Sequence, residues 1–422
     1  MPSTIYLDCT HTYSSSLNTG IQRVVKNIVG NTQKISNNTC QIIPVVSISN
    51  KYYTFDNFAP TSQKKNHIKV FLKETYKKAR TAASYILPKK LNNLIYHPNI
   101  ANFLNKAADT ILSSKQISKQ LITQQPVSFN KKDILVLLDT TWMNTNYKQL
   151  AHLKKKKVKI VAVVYDMIPI THSQFCTLDL TLSLKHWYKN AFQYIDLYIA
   201  ISKSVKEETY NYIKNNFDKN IPISKFDYFH LGANFDIKYC KNKVAESFKN
   251  NFNKENTYIT VSTIEPRKNH SYILDVFDLL WEDNKDVKYI IIGRVGWDTA
   301  ALIKRIKSHK HYNKKLLFLE NVSDHELVYA YENSKAMIFA SHIEGFGLPI
   351  VESLFYKLPV LASDIPIHRE IGEEKVIYFG LSDPNSLLSI IQMQKIKKVE
   401  DFAWKNWYES TQELISKTRG IQ

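Results

Sequence analysis

The chain has 422 residues, of which 44% are hydrophobic and 23% charged, and its formal net charge is +19 at pH 7. This length predicts two or three domains, and the low Gly and Pro content excludes a largely disordered chain. The sequence contains no apolar run of 18 residues and no signal-peptide pattern, so we expect a cytoplasmic protein without a transmembrane helix. Its four cysteines are scattered, which disfavours a zinc site or a disulfide framework.

Short apolar runs rich in Val, Ile and Tyr alternate with helical stretches along the whole chain. They lie at 3–8, 133–139, 159–166, 196–202 and 226–231, and again at 257–262, 287–293, 315–320, 336–341, 359–363 and 376–379. Such runs predict parallel strands that are covered on both faces. Two series of them predict an α/β fold with two doubly wound domains, linked near 240–256, and ligands bind such sheets at the carboxyl ends of the strands. We therefore expect a deep cleft between the two domains.

The positive charge is concentrated in the segment 61–130, which holds twelve Lys or Arg residues and only two acidic ones. Within it, residues 70–86 place apolar side chains at helical spacing with lysines between them. Two interpretations stay open: a basic amphipathic helix on an anionic membrane surface, or a solvated face of an ordinary helix. Nucleic acid is disfavoured as a partner, because arginines are few here and no recognised binding motif occurs.

The stretch SHIEGFGLPIVES, residues 341–353, follows a predicted strand and leads into a predicted helix. Its glycines allow a tight turn, and a helix N-terminus with nearby amides suits a diphosphate. Glu344 on the loop is placed to hold sugar hydroxyls, and Glu352, expected on the first helical turn, to hold a ribose. The alternative is that both acids only cap the helix. The amides that would bind phosphate belong to Gly345, Phe346, Gly347 and Leu348.

A second stretch, TIEPRKNH at 263–270, also follows a predicted strand in the same half of the chain. Arg267 offers a bidentate fork and Lys268 a compact cation, which together can neutralise a diphosphate leaving group. Two surface cations before a helix are the alternative. The occurrence of both stretches at the same end of one predicted sheet favours a ligand site.

These motifs resemble the retaining glycosyltransferase family 4, of GT-B fold. The resemblance rests on PRKN together with SHIEGFGLPIVES, and it covers roughly 255–415 strongly. It is weaker over 1–240, where NTGIQRVVKNI, YDMIPITH and AISKSVKEE are similar to family segments. The first of these is most similar to transferases that build bacterial capsule or O-antigen polysaccharides.

The resemblance implies a division into residues 1–245, a nucleotide-sugar domain at 246–400, and a C-terminal helix at 401–422 that crosses back to the first domain. Glu344 would contact the donor sugar, Arg267 and Lys268 the diphosphate, and Glu352 the ribose. From the first domain, Gly20 would approach the donor phosphates and Asp166 would line the cleft. Further candidate cleft residues are Arg23, Tyr165, which stands where the family often has His, and His172, which either compensates for it or has no role.

The implied reaction is transfer of a hexose or deoxyhexose from a nucleotide-diphosphate sugar to a glycan or lipid-linked glycan, with retention of configuration. Because no Asp-x-Asp triplet occurs and two cations are available, we expect no metal and no other cofactor. The alternatives are a sugar phosphorylase, a nucleotide-sugar epimerase, or a scaffold subunit without activity. The expected location is the cytoplasm, with peripheral contact to the membrane as an open option.

Overall fold

A computed structural model describes residues 3–15, 20–36, 40–58, 125–143, 145–235, 239–393, 396, 399 and 402–421. The predicted helix at 70–86 and most of the basic segment 61–130 lie outside these residues. Within the described parts, every helix is too short or too polar to cross a membrane.

The chain divides into two compact units, one formed by Met1–His230 with Tyr408–Gln422 and the other by Leu231–Trp407. The N-terminal unit contains a seven-stranded sheet in the order β3-β2-β1-β4-β5-β6-β7. All neighbours in this sheet pair in parallel except β2 and β3. Its strands are β1 (Ser3–Asp8), β2 (Cys40–Ile48), β3 (Lys51–Thr54), β4 (Ile134–Leu137), β5 (Lys159–Val164), β6 (Leu197–Ala200) and β7 (Phe226–Tyr228).

Helices connect these strands and cover the sheet, as parallel pairing requires. They are α1 (Thr10–Ser14), α2 (Gly20–Ile35), α3 (Tyr147–Lys155), α4 (Ile168–Thr171), α5 (Leu178–Ala191) and α6 (Lys203–Asn216). Polar side chains fix several helix starts: Asn146 caps α3, Thr177 caps α5 and Ser202 caps α6.

The C-terminal unit contains a six-stranded, all-parallel sheet in the order β10-β9-β8-β11-β12-β13. The strands are β8 (Thr257–Val261), β9 (Lys288–Ile292), β10 (Leu316–Leu319), β11 (Ala336–Phe339), β12 (Val360–Ser363) and β13 (Ile377–Phe379). The helices are α7 (Glu246–Lys249), α8 (His270–Glu282), α9 (Ala300–Lys307), α10 (Asp324–Asn333), α11 (Leu348–Phe355), α12 (Pro366–Gly372), α13 (Pro384–Gln392) and α14 (Trp407–Arg419), which continues into the N-terminal unit.

The division between the units lies at His230, whereas the sequence analysis places it at 245. The reason is that the segment after His230 packs on C-terminal residues: the Trp404 indole N–H donates to the Leu231 carbonyl at 2.8 Å, and the Phe235 ring lies 5.8 Å from that of Tyr356. Helix α14 contacts the N-terminal unit from Tyr408 onward, and the hydroxyl of Ser410 donates to the carbonyl of His230 at 2.7 Å.

Candidate active site

The candidate site lies where the strand order of the C-terminal sheet reverses. The chain builds β8, β9 and β10 outward in one direction, then returns to place β11 against the other side of β8. Open α/β sheets bind ligands at such a switch point, beyond the carboxyl ends of the two strands. The loop after β8 carries Arg267 and Lys268, and the loop after β11 carries Glu344.

The structure brings these three side chains into direct contact. Arg267 Nη1 donates to Glu344 Oε2 at 2.6 Å, and Lys268 Nζ donates to Glu344 Oε1. Arg267 Nη1 also donates to the Ile343 carbonyl at 3.2 Å, and the backbone carbonyl of Arg267 accepts from the His342 N–H at 2.8 Å. The predicted meeting of the two loops therefore exists as a charged cluster that is held by both side chains and backbone.

Burial makes this cluster electrostatically strong. The side chains of Glu344 and Lys268 are 7% and 10% exposed, and that of Arg267 is 21% exposed. Burial acts to raise the pKa of Glu344, but the charges of Arg267 and Lys268 outweigh it and hold the pKa below its usual range. Burial and the nearby Arg267 charge lower the pKa of Lys268, while Glu344 opposes this shift.

One further carboxylate belongs to the same cluster and was not singled out from the sequence. Glu265 Oε2 accepts from Arg267 Nε at 3.1 Å, so the guanidinium lies between two carboxylates. Glu265 precedes Arg267 by two residues in TIEPRKNH, and an acid that close to two functional cations is the signal that could have identified it.

The loop after β11 turns at Gly347, whose φ of +103° lies in the region that favours glycine. A Cβ at this position would also meet Ile371 Cδ1 at 3.1 Å. Gly347 is the N-cap of α11, which begins at Leu348, while the Phe346 ring is 3% exposed and packs 6.2 Å from that of Trp404. This packing holds the loop so that its amides stay at the start of the helix.

Glu352 lies elsewhere than the sequence analysis places it. It is the fifth residue of α11 and so lies beyond the first turn. Glu352 is 1% exposed, and its Oε2 accepts from the buried Tyr331 hydroxyl at 2.9 Å. The Glu352 carboxylate thus has a partner inside the C-terminal unit, and its role in holding a ribose stays a prediction.

A chain of buried polar groups lies under the loop that carries Lys268. The hydroxyl of Ser262 lies 3.0 Å from His270 Nε2, and His270 Nδ1 lies 3.4 Å from the Tyr289 hydroxyl. Burial and the charge of Lys268 lower the pKa of His270 to about 3, so the imidazole is neutral. A neutral imidazole adds no third positive charge beneath the cluster.

In the N-terminal unit, Asp166 follows β5 at the carboxyl end of that sheet. Its Oδ1 accepts from the Ile168 N–H at 3.1 Å at the start of α4. Burial and the charge of Asp166 raise the pKa of Glu208, on α6, to about 7. Glu208 lies in the stretch AISKSVKEE but was not singled out, because only burial distinguishes it from Glu207 beside it.

Tyr165 and His172 differ in how far their side chains are exposed to solvent. Tyr165 is 4% exposed, and its hydroxyl donates to the Leu138 carbonyl at 2.6 Å. The hydroxyl of Tyr165 is therefore engaged inside the N-terminal unit, and its place in the cleft stays a prediction. His172 is partly exposed, and its Nδ1 lies 2.9 Å from the Thr171 hydroxyl.

Gly20 and Arg23 both lie on the first turns of α2, after β1. Gly20 is exposed, and an added Cβ would meet no described atom within 4 Å, so packing within the described residues gives no reason for glycine there. Arg23 is partly buried on the same helix. The structure places both at the carboxyl side of β1, as the sequence analysis expects of residues in the loop and helix after the first strand.

Comparison with known sequences identifies a family and relatives that this chain resembles. Residues 242–388 match the family of Glycosyl transferases group 1. The chain is 30% identical over 305 residues to the serotype-specific mannosyltransferase WbdA of Escherichia coli, covering 69% of this chain and 37% of WbdA. It is 32% identical over 140 residues to the O-antigen chain mannosyltransferase RfbU of Salmonella typhimurium, covering 33% of this chain and 38% of RfbU. The chain thus spans little more than a third of the length of either relative.

Comparison with solved structures concerns the fold alone. The crystal structure of Anabaena Alr3699/HepE in complex with UDP-glucose has a TM-score of 0.52 and 13% identity to this chain, covering 99% of this chain and 98% of that one. Both Rossmann-like sheets of the present chain are therefore within the matched region. Residues 242–388 are thus similar to the glycosyl transferases group 1 family, and the two Rossmann-like sheets are those of the GT-B fold.

Proposed function

We propose that this chain is a glycosyltransferase that moves a hexose from a nucleoside-diphosphate donor to a glycan or lipid-linked glycan during synthesis of a bacterial surface polysaccharide. One observation carries the proposal: Arg267, Lys268 and Glu344 converge at the switch point of the C-terminal sheet, beside the N-terminus of α11. The similarity to WbdA and RfbU, whose names give mannose and O-antigen, supports mannose as the transferred sugar.

The arrangement supports a division of roles between cations and acid. When the bond from the sugar to the diphosphate breaks, negative charge grows on the leaving oxygen. Arg267 and Lys268 are placed to stabilise that charge, in a site whose burial strengthens the interaction. Glu344, between them, is suited to hold hydroxyls of the donor sugar. These two cations are proposed to supply the positive charge without a metal.

Retention of configuration is the second part of the proposal. The acceptor hydroxyl would attack the face of the sugar that the diphosphate leaves, and an oxygen of the departing phosphate would take the proton. Glu344 supports this route better than a covalent intermediate, because both its carboxylate oxygens are engaged by cations that lower its basicity and nucleophilicity. Analysis of the anomeric configuration of the product by NMR tests this part.

The central experiment is release of nucleoside diphosphate from a panel of UDP-, GDP-, ADP- and dTDP-sugars, with and without metal chelator. We expect one mannose donor to be hydrolysed slowly without acceptor. Glu344→Ala should lower turnover by about tenfold or more while the protein stays folded. Glu255→Ala is the matched control, because Glu255 is an exposed acid just before the opposite, amino end of β8. Full turnover in Glu344→Ala would remove the site assignment.

The same panel separates the other candidate activities. A ligand at 100 times its dissociation constant raises the free energy of unfolding by about 2.7 kcal/mol, which thermal unfolding detects. Stabilisation by inorganic phosphate and a sugar without nucleotide would indicate a phosphorylase, and formation of the epimeric sugar from the donor without acceptor would indicate an epimerase. No stabilisation by any nucleoside diphosphate would contradict the proposed function and favour a scaffold.

Peripheral contact with the cytoplasmic membrane is proposed for the basic segment 61–130. Its excess of lysines supports attraction to anionic lipid, at about 1 kcal/mol for each lysine near the surface. Flotation with vesicles that contain anionic lipid, compared with neutral vesicles, tests this. Equal binding to both would refute it.

A further inference from the structure

Glu265 lies at the outer edge of the charged cluster. Its side chain is 23% exposed and that of its partner Arg267 is 21% exposed, whereas Lys268 and Glu344 behind them are 10% and 7% exposed. An anion that approaches from solvent therefore meets the pair of Glu265 and Arg267 before it meets the buried pair.

The backbone around Glu265 is fixed on both sides. Its carbonyl accepts from the Lys268 N–H at 3.0 Å, and its φ and ψ of −141° and 154° are extended. The preceding residue, Ile264, donates to the Arg294 carbonyl and accepts from the Gly296 N–H, each at 2.9 Å. A Cβ on Gly296 would lie 2.3 Å from the Ile264 carbonyl oxygen, so a glycine is needed where that loop passes. The backbone of Glu265 is thus held by contacts that do not involve its carboxylate.

The formal charges of the cluster cancel, since Arg267 and Lys268 face Glu265 and Glu344. A diphosphate can gain the cations only if a carboxylate gives up its contact, because like charges at such short range repel. Glu344 contacts both cations and is the more buried acid, whereas Glu265 contacts the Nε of Arg267. Displacing Glu265 therefore breaks fewer and more exposed contacts than displacing Glu344.

We infer that Glu265 is a positioning residue that acts as an exchangeable counter-ion: it holds Arg267 in the ligand-free protein and releases it to the diphosphate of the donor. The inference rests on the proposed function, because it assumes that Arg267 binds a diphosphate. It makes Glu265 a competitor of the ligand, so that its removal tightens anion binding. A residue that served only to orient Arg267 for the ligand would weaken binding when it is replaced.

The test is isothermal titration of inorganic pyrophosphate into the full chain, without metal, for wild type, Glu265→Gln and Glu255→Gln. Glu255→Gln makes the same change of net charge at an exposed acid beyond the opposite end of β8. We expect the Kd of Glu265→Gln to fall about fivefold, which is about 1 kcal/mol, and that of Glu255→Gln to stay unchanged. Inhibition of turnover by the product nucleoside diphosphate should tighten in the same variant.

The outcomes separate this inference from the proposed function. Pyrophosphate that binds wild type and Glu265→Gln equally, or binds the variant more weakly, overturns the role of Glu265 but leaves the diphosphate site standing. An equal gain in Glu255→Gln overturns it as well, because net charge would then explain the effect. If neither the wild type nor any variant binds pyrophosphate, both the proposed function and the role of Glu265 are contradicted. Should Glu265→Gln fail to fold, Glu265→Asp, whose shorter side chain loosens the 3.1 Å contact, is expected to show a smaller gain.

Discussion

Removing the Glu344 carboxylate tests how strongly the charged cluster is held together. Glu344→Gln keeps the shape of the side chain but leaves Arg267 and Lys268 close to each other without their shared counter-charge. Loss of one partner from a buried ion pair costs about 3–5 kcal/mol, and the partial exposure of Arg267 places this case near or below the lower end. We expect the free energy of unfolding to fall by about 2–3 kcal/mol, measured by urea denaturation with tryptophan fluorescence.

A double-variant cycle shows whether charge is the cause. Lys268→Met removes the more buried cation, which is 10% exposed and lies 4.8 Å from the centre of the Phe339 ring. The double variant with Glu344→Gln loses both opposite charges together. Its loss in free energy of unfolding should therefore be smaller than the sum of the two single losses by about 1 kcal/mol or more. The reasoning is refuted if Glu344→Gln loses less than about 0.5 kcal/mol, or if the two losses simply add.

Three further predictions concern groups around the cluster. Burial lowers the pKa of His270 to about 3, so below pH 6.5 the unfolded chain binds a proton that the folded chain does not. The free energy of unfolding therefore decreases as the pH is lowered through this range. When the pH is lowered from about 7 to about 5, the free energy of unfolding of His270→Gln should therefore decrease by about 2 kcal/mol less than that of wild type, as measured by urea denaturation. Tyr331→Phe, which deprives buried Glu352 of a donor, should lower the free energy of unfolding by about 1–3 kcal/mol, and no loss would contradict that contact. Gly347→Ala should lower both stability, by about 1–3 kcal/mol, and donor affinity, because φ is +103° and Ile371 lies at 3.1 Å; unchanged melting would show that the loop adapts.

The regular parts of both sheets were predictable from the sequence, because buried parallel strands are apolar along their whole length. Each of the predicted apolar runs contains a strand of the structure. Among the residues that the structure describes, two strands were missed, and each omission has a physical reason. Pro44 interrupts the pattern of β2 (Cys40–Ile48), and β3 (Lys51–Thr54) is a short antiparallel edge strand with polar ends.

The meeting of Arg267 with Glu344 could be predicted only in part. Both follow predicted strands, and the carboxyl ends of parallel strands share one edge of a sheet. The two side chains, 77 positions apart, touch because β8 and β11 are neighbours in the sheet. This strand order cannot be predicted from any local sequence pattern. The placement of Glu352 on the first turn was wrong for a local reason: it depends on the residue at which α11 begins, and helix ends are the least certain part of a sequence-based assignment.

The charge balance of the site bears on how a chain with net charge +19 can discriminate among anions. A cluster of free cations would attract phosphate, nucleotides and acidic surfaces alike, since long-range attraction depends on charge more than on shape. In this protein the two cations are already paired with Glu265 and Glu344. An anion must therefore replace an existing contact, and net attraction at the cluster is small until it does so. In the proposed function, affinity would then depend on contacts that only the donor completes, with sugar hydroxyls on Glu344 and phosphate oxygens at the amides before α11. The balanced charge of the cluster would thereby favour the whole donor over other anions of the same charge.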